Sequence, residues 1–446
     1  MVWVLIVLMI VPEGFDYQSF GAVPTSGGPV SRTLWLGLLV LSAIIVLWRA
    51  GLAWVLARVL NPFLPLFVAL AVLSIAWSID PSLSARRLVR MFTIVLACTA
   101  FVLIGWHARR YQGIVRPILT LMLLGSILFG LAFPQLAIHQ ETSAELVGAW
   151  RGLANHKNGL GALSCIALIF WFHAWLAREV RFLSALAGCA LAVTCLVLSR
   201  SSTSLAATVV VMILLAMLVR SPRVLRPCVP FLVSILVAAL LVYALAILNL
   251  IPGLGTLMAP ITLLTDKVTF TGRAEIWAII ADHIRWHPFL GTGYGAYWTG
   301  VPVAGTESYE FVWRMRSFYP GSAHNGYLEI VNDLGWVGLA CLVAYIITHV
   351  RQCLQLLEID RTQSALYLAL FFQQAITNLS ETHWFSVLSV DFVIMTLATT
   401  ALARGLLERQ LRSVFGEPHP SLGRPVRRPA LPLPQKSLPR ALGGRA

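Results

Sequence analysis

The stretch Pro227-Cys-Val-Pro-Phe-Leu-Val-Ser-Ile-Leu-Val-Ala-Ala-Leu-Leu-Val-Tyr-Ala-Leu-Ala-Ile-Leu248 holds no charged side chain, and Arg223 and Arg226 stand just before it. About 20 apolar residues in a helix cross a hydrocarbon core of roughly 30 Å. This block is therefore read as a membrane span. Blocks of similar character recur along the chain, near 1–11, 32–48, 62–77, 88–106, 115–133, 158–176, 181–199, 202–219, 326–349, 364–380 and 386–405. With 227–248 they predict about 12 spans. The first is short, closed by Pro12-Glu13-Gly14, so either the true start lies upstream or the helix enters the bilayer from its first residue. It lacks the basic n-region and small-residue cleavage site of a signal peptide. Composition agrees: 58% of the 446 residues are hydrophobic and 12% charged, and mean hydropathy is +0.80, whereas a soluble chain carries about a quarter charged residues. The expected fold is all-α, a polytopic transmembrane helical protein.

Basic residues set the expected orientation. With the N-terminus inside, the short cytoplasmic loops hold Arg49, Arg58, Arg109, Arg110, Arg116, Arg178, Arg181, Arg220, Arg223, Arg226, Arg351 and Arg361. Residues 406–446, rich in arginine and proline, read as a disordered cytoplasmic tail. The transmembrane domain is then 1–405, with both termini cytoplasmic. Positive-inside bias and the tail account for most of the net charge of +14, so no nucleic-acid partner is inferred. The seven cysteines lie in or beside apolar spans without metal-ligand spacing. The sequence contains no P-loop, Rossmann fingerprint or internal repeat.

One long outer loop, 249–325, is inserted between spans 9 and 10. Within it, Ile279, Ile280 and Ile284 fall at helical spacing after Thr271-Gly-Arg-Ala-Glu-Ile-Trp277, with Asp282, His283 and Arg285 opposite. This predicts an amphipathic helix at the membrane surface, ended by Pro288 and Gly291-Thr-Gly-Tyr-Gly295. Arg273 sits at its N-terminus, where the helix dipole already favours an anion. Other basic residues gather on this outer face against the positive-inside trend: Arg86, Arg87, Arg90, Arg151, Lys157 and Arg200. Cations at membrane depth face a polar cavity, a partner or the headgroups, and guanidinium groups bind phosphate oxygens bidentately. His324, in Ser322-Ala-His-Asn-Gly-Tyr-Leu-Glu-Ile330, stands where the loop meets span 10. It is read either as a structural hydrogen-bonding group or as a general base, since imidazole titrates near neutral pH. Glu329, Asp333, Glu381 and Asp391 are the carboxylates available to orient it or to pair with an arginine. No outer loop has an Asp-x-Asp pair for a divalent metal.

Four strings in order resemble the O-antigen ligase / Wzy-type polysaccharide polymerase superfamily, in particular its ExoQ-like exopolysaccharide branch. They are Arg151-Gly152…His156-Lys157-Asn158-Gly-Leu-Gly161, Ser199-Arg200-Ser201, Thr271-Gly272-Arg273…Trp277…Gly291-Thr-Gly-Tyr-Gly295 and His324-Asn325-Gly-Tyr-Leu328…Gly335. The resemblance covers roughly 60–400. It implies a metal-independent bacterial inner-membrane glycosyltransferase that needs no cofactor. The donor it implies is an undecaprenyl-diphosphate-linked oligosaccharide on the periplasmic face, making 249–325 a periplasmic loop. A polysaccharide acceptor, the lipid bilayer and a chain-length regulator of the same pathway are the other partners implied. The family's essential arginines match Arg200 and Arg273, and its loop histidine matches His324; Arg151 matches a commonly basic position.

Two readings of the enzyme stay open, polymerase and O-antigen ligase. In either, the acceptor hydroxyl gives its proton to His324 while attacking the anomeric carbon, with inversion, and Arg200, Arg273 and Arg151 bind the diphosphate. Arg86, Arg87, Arg90, Lys157, Asn158, Asn325, Glu329 and Glu381 are expected to support the site. Trp298, Tyr309, Phe311, Trp313, Phe318 and Tyr319 either stack on sugar rings or pack as loop core. A lipid-linked-glycan transporter is the alternative from another class. Polar candidates gathered on one face and dissimilar halves argue against it.

Overall fold

The computed structural model describes residues 1–11, 29–105, 110–140, 146–247, 273–298 and 320–415. Its helices are α1 (Val2–Ile10), α2 (Pro29–Trp48), α3 (Ala50–Val59), α4 (Phe63–Leu73), α5 (Pro81–Ile104), α6 (Arg110–Ala132), α7 (Pro134–Ala137) and α8 (Lys157–Leu176). There follow α9 (Phe182–Ser199), α10 (Ser202–Arg220), α11 (Val229–Ile247), α12 (Arg273–Ile284), α13 (Gly326–Leu357), α14 (Arg361–Thr377) and α15 (Val390–Phe415). Among the described residues the β structure is one isolated bridge, Ile138 to Trp150. Helices satisfy their own backbone polar groups, which a bilayer cannot do for them.

Among the described residues nine helices are long and apolar enough to cross a membrane, and the bent pair Ala50–Val59 with Phe63–Trp77, at 102°, makes up to ten. The shorter α1 and α14 occupy the two other blocks read as spans. The chain is a multi-pass membrane protein. At the bend, Asn61 turns its side chain inward and donates to the Tyr345 carbonyl at 2.9 Å, which fixes α4 against α13.

Burial grades from the centre outward. Almost all of Val390–Arg409 in α15 is buried, whereas the spans Val30–Trp48 and Val224–Ala246 leave most of their residues open, as a helix facing lipid does. Inside α13, Gly335 has φ +62° and interrupts the helical geometry. A Cβ there would strike the backbone of Phe289. The kink receives the segment after α12: the Trp336 amide donates to the Pro288 carbonyl at 2.9 Å, and the Thr292 and Gly293 amides donate to the Asn332 and Asp333 carbonyls at 3.1 and 2.9 Å.

Helix α15 runs on past the expected boundary at 405 to Phe415, because Leu406 and Leu407 are buried and Arg404 pairs with Glu408 at 3.4 Å; residues 416–446 of the expected tail lie outside the described residues. The helix expected in the long loop is α12, with Ile276, Ile279, Ile280 and Ile284 buried, but His283 is not on its open face. That ring is buried too and lies 2.9 Å from Asn332 Oδ1, since α13 supplies a polar partner on the packed side. The remainder of the loop, 249–272 and 299–319, with Tyr309, Phe311, Trp313, Phe318 and Tyr319, also lies outside the described residues.

Candidate active site

Glu381 follows α14 in the short connection to α15, and three other parts of the chain meet it there. Arg273, the first residue of α12, reaches its Oε1 with Nη2 at 2.7 Å. Asn158, in the first turn of α8, donates Nδ2 to the same oxygen at 2.5 Å. His324 Nδ1 lies 3.4 Å from the other oxygen, Oε2. All four residues belong to segments expected on one face of the membrane. Of the four carboxylates considered in the sequence, Glu381 is the one that orients the histidine and pairs the arginine.

Burial pushes the Glu381 carboxyl up; the hydrogen bond with His324 and the charge of Arg273 outweigh it and hold the group well below the usual carboxylate range. A permanent anion at Nδ1 favours the tautomer that donates from that nitrogen and leaves the Nε2 lone pair outward. The His324 side chain is 28% exposed, so a substrate can reach it.

The backbone around His324 is built for this placement. Asn325 caps α13, its Oδ1 accepting from the Tyr327 and Leu328 amides at 3.0 Å each, while its Nδ2 donates to the Leu379 carbonyl at 3.2 Å. The Gly326 amide donates to the Asn378 carbonyl at 2.9 Å. Any side chain at Gly326 would collide with Asn378. Asn378 in turn accepts from the His383 and Trp384 amides at 2.9 and 2.8 Å. The two strands of chain, 322–326 and 378–384, are thereby locked together, which brings His324 beside Glu381. His324 itself has φ +47° and Arg200 has φ +49°. Left-handed backbone costs a non-glycine residue about 1 kcal/mol or more and concentrates at functional sites.

The other expected residues divide. Arg200 is exposed at the turn into α10, with Nη1 donating to the Val147 carbonyl at 2.9 Å; α10 is tied to the site by the Ser380–Thr203 hydrogen bond at 2.9 Å. Arg151 is buried and its Nε donates to the Leu136 carbonyl at 2.7 Å, bonding that holds the segment before α8. Lys157 begins α8, its amide donating to His139 Nε2 at 3.2 Å. Glu329 is buried and accepts from the Ala323 amide at 2.7 Å, bracing the residue before His324. Arg87 donates to the Trp298 carbonyl at 3.1 Å. Arg86 and Arg90 lie on the outer side of α5, away from Glu381, in a separate cleft with Arg87.

A cavity of about 340 Å³ opens beside Glu381, and its described lining includes Arg87, His156, Trp298, Glu329, Glu381, His383 and Asp391. His324 and Arg273 touch Glu381 without being among those lining residues. Trp298 is buried against Tyr297 and also lines the cavity. Two histidines here were not singled out from sequence. His156 caps α8, Nδ1 accepting from the Asn158 amide at 3.3 Å. Burial lowers its imidazole to about 4, with Glu381 opposing, so it is neutral near pH 7. His383 Nδ1 is 2.6 Å from Ser389 Oγ and 3.5 Å from Asp391 Oδ2, and its buried Nε2 has no hydrogen-bond partner among the described residues.

Around Glu381 the geometry joins a carboxylate-held imidazole, a paired guanidinium and a cavity of about 340 Å³ lined by both polar and apolar side chains. Residues 187–343 match the O-antigen ligase family. The matched stretch lies mid-chain, from α9 into α13. It contains Arg200, Arg273 and His324 and ends before Glu381. The chain is also similar to the exopolysaccharide production protein ExoQ of Rhizobium meliloti (strain 1021), 29% identical over 373 residues that cover 78% of this chain and 77% of the relative. With a match to the O-antigen ligase family set in a helical membrane bundle, the chain is a membrane enzyme of the glycosyltransferase type, of the kind that polymerises or ligates polysaccharide.

Proposed function

We propose that the enzyme polymerises exopolysaccharide or O-antigen repeat units at the periplasmic face of a bacterial inner membrane, moving a glycan from undecaprenyl diphosphate to an acceptor sugar hydroxyl. The observation that carries this reading is the convergence of Arg273, His324 and Asn158 on Glu381. The acceptor oxygen attacks the anomeric carbon as its proton passes to His324 Nε2. The bond from that carbon to the diphosphate oxygen breaks, and the electron pair leaves on the lipid diphosphate. One displacement inverts the anomeric centre. Arg273 and Arg200 stabilise the charge growing on the leaving oxygens. The acceptor glycan lies in the cavity, where Glu329, Asp391 and His383 offer hydrogen bonds to hydroxyls and Trp298 an aromatic wall. Its carboxylates disfavour a phosphate, so the donor diphosphate stays on the arginine side.

The test is transfer in vitro by purified protein from lipid-linked repeat units. Long polymer from repeat units alone, unchanged by EDTA, is the expected result. The matched family's description favours a second reading, ligation to lipid A–core; product formed only when lipid A–core is added selects it, and a loss with EDTA rejects the metal-independent mechanism.

Replacing Arg200 or Arg273 with Lys keeps the charge and loses the planar fork, so each is expected to lower transfer at least about tenfold, one lost charge-assisted bond being worth about 1.5–3 kcal/mol. Near-wild-type polymer from both Lys variants rejects phosphate coordination by these residues. For orientation, alkaline phosphatase fused within 299–319 is expected to be active and fused after Phe415 inactive; the opposite pattern inverts the topology. Truncation after Phe415 is expected to leave polymer yield near wild type, because the candidate span Val390–Arg409 and every residue placed at the site precede it.

A further inference from the structure

Of the arginines of α5, Arg87 lines the cavity beside Glu381, and Arg86 and Arg90 are not among its described lining residues. Arg86, Arg87 and Arg90 meet Arg32 of α2 in a separate cleft of about 320 Å³, with Trp35 in its wall. The Arg90 guanidinium stands over the Trp35 ring at 5.6 Å. No carboxylate is among the described lining residues. The nearby Asp80 is engaged in capping α5, accepting from the Leu83 amide at 2.9 Å and Ser82 Oγ at 2.8 Å. Arg32 lies in the first turn of α2 and Arg86 in the second turn of α5, so two helix N-termini add their positive ends to four cations. Such a cleft is made for a phosphate.

Two further features say which phosphate. Below the cleft, Leu36, Val40, Ile44 and Leu47 form one exposed apolar stripe on α2, the path for a long hydrocarbon chain whose head sits among the arginines. Inward, Arg87 and Leu388 line both this cleft and the glycan cavity, so a sugar attached to a phosphate here passes into the cavity. An acceptor that is itself lipid-linked carries its phosphate at one end of its glycan and its reacting hydroxyl at the other. The two ends need separate places.

We infer that Arg32, Arg86, Arg87 and Arg90 bind the diphosphate of a second polyprenyl-linked glycan, the acceptor, while its far hydroxyl is presented to Glu381 and His324. This inference rests on the polymerase reading. It assigns Arg86, Arg87 and Arg90 to the acceptor rather than the donor, and adds Arg32 to them.

The experiment is titration of the full-length protein, in phosphatidylcholine nanodiscs, with undecaprenyl diphosphate, counting bound equivalents by native mass spectrometry. Wild type is expected to take two equivalents and Arg32→Gln/Arg86→Gln one, and the equivalent retained shows that this variant is folded. Arg273→Gln is expected to lose the other equivalent and keep this one. An excess of phosphatidylglycerol is expected to displace neither. A single equivalent on wild type, two on the double variant, or displacement of the cleft-bound equivalent by phosphatidylglycerol would overturn the inference, the last by making the cleft a general headgroup site. Two equivalents on Arg273→Gln, with one on the double variant, would uphold the cleft and reject the donor assignment instead.

Discussion

Replacing His324 with Gln is expected to lower glycan transfer by about 10²–10⁴-fold, the range a general base contributes, with lipid-linked donor still bound. An amide can hydrogen-bond to Glu381 but is a negligible base near neutral pH. The left-handed backbone at this position adds a second control. Asn tolerates φ above zero better than most residues, so His324→Asn separates loss of the imidazole from backbone strain and is expected to be as inactive as the Gln variant. Turnover and donor binding measured on the same purified proteins decide the matter. Substantial turnover by His324→Gln would return His324 to a structural role and pass the base assignment to His383, which lines the cavity.

Glu381→Ala is expected to be at least as damaging and to destabilise the fold as well. It strips Arg273 and His324 of a common partner and leaves a guanidinium only 15% exposed without its carboxylate. Breaking such a pair on one side costs roughly 3–5 kcal/mol. Glu381→Gln keeps the shape and is expected to recover part of the thermal stability but not the activity, because an amide neither balances Arg273 nor fixes the His324 tautomer. The pH dependence follows from the lowered folded-state value. A carboxyl that is more acidic folded than unfolded contributes stability above its unfolded value, about 4.3, and loses it as pH falls through the folded value, which lies lower still. Between pH 5 and 9 the melting gap between wild type and Glu381→Gln is therefore expected to stay level, narrowing only in strong acid. A gap that closes between pH 6 and 8 would show that another group sets it.

The bundle was legible because apolar length alone specifies a span: the block at 227–248 and its counterparts each became helical. What hydropathy could not see was the interior. The helical wheel placed His283 outward since nothing in it reveals that Asn332 of α13 waits on the packed side. Arg200, Arg273 and His324 stood out as polar residues in apolar or loop settings. Glu381 was only one of four eligible carboxylates, and choosing among them needs the fold. Arg32 passed unnoticed as one cation at the head of an apolar helix. Its meaning comes from α5, brought beside it by packing, and a linear reading carries no such neighbourhood. Arg151 matched a basic position, yet its guanidinium is engaged with the backbone near α7.

The partners of Glu381 lie far from it along the chain: Asn158 is 223 residues away, Arg273 108 and His324 57. Synthesis delivers Glu381 last of the four. A nascent chain whose early helices are already in the bilayer thus holds Asn158, Arg273 and His324 before the carboxylate that gathers them exists. The site is therefore complete only once the connection between α14 and α15 has been made.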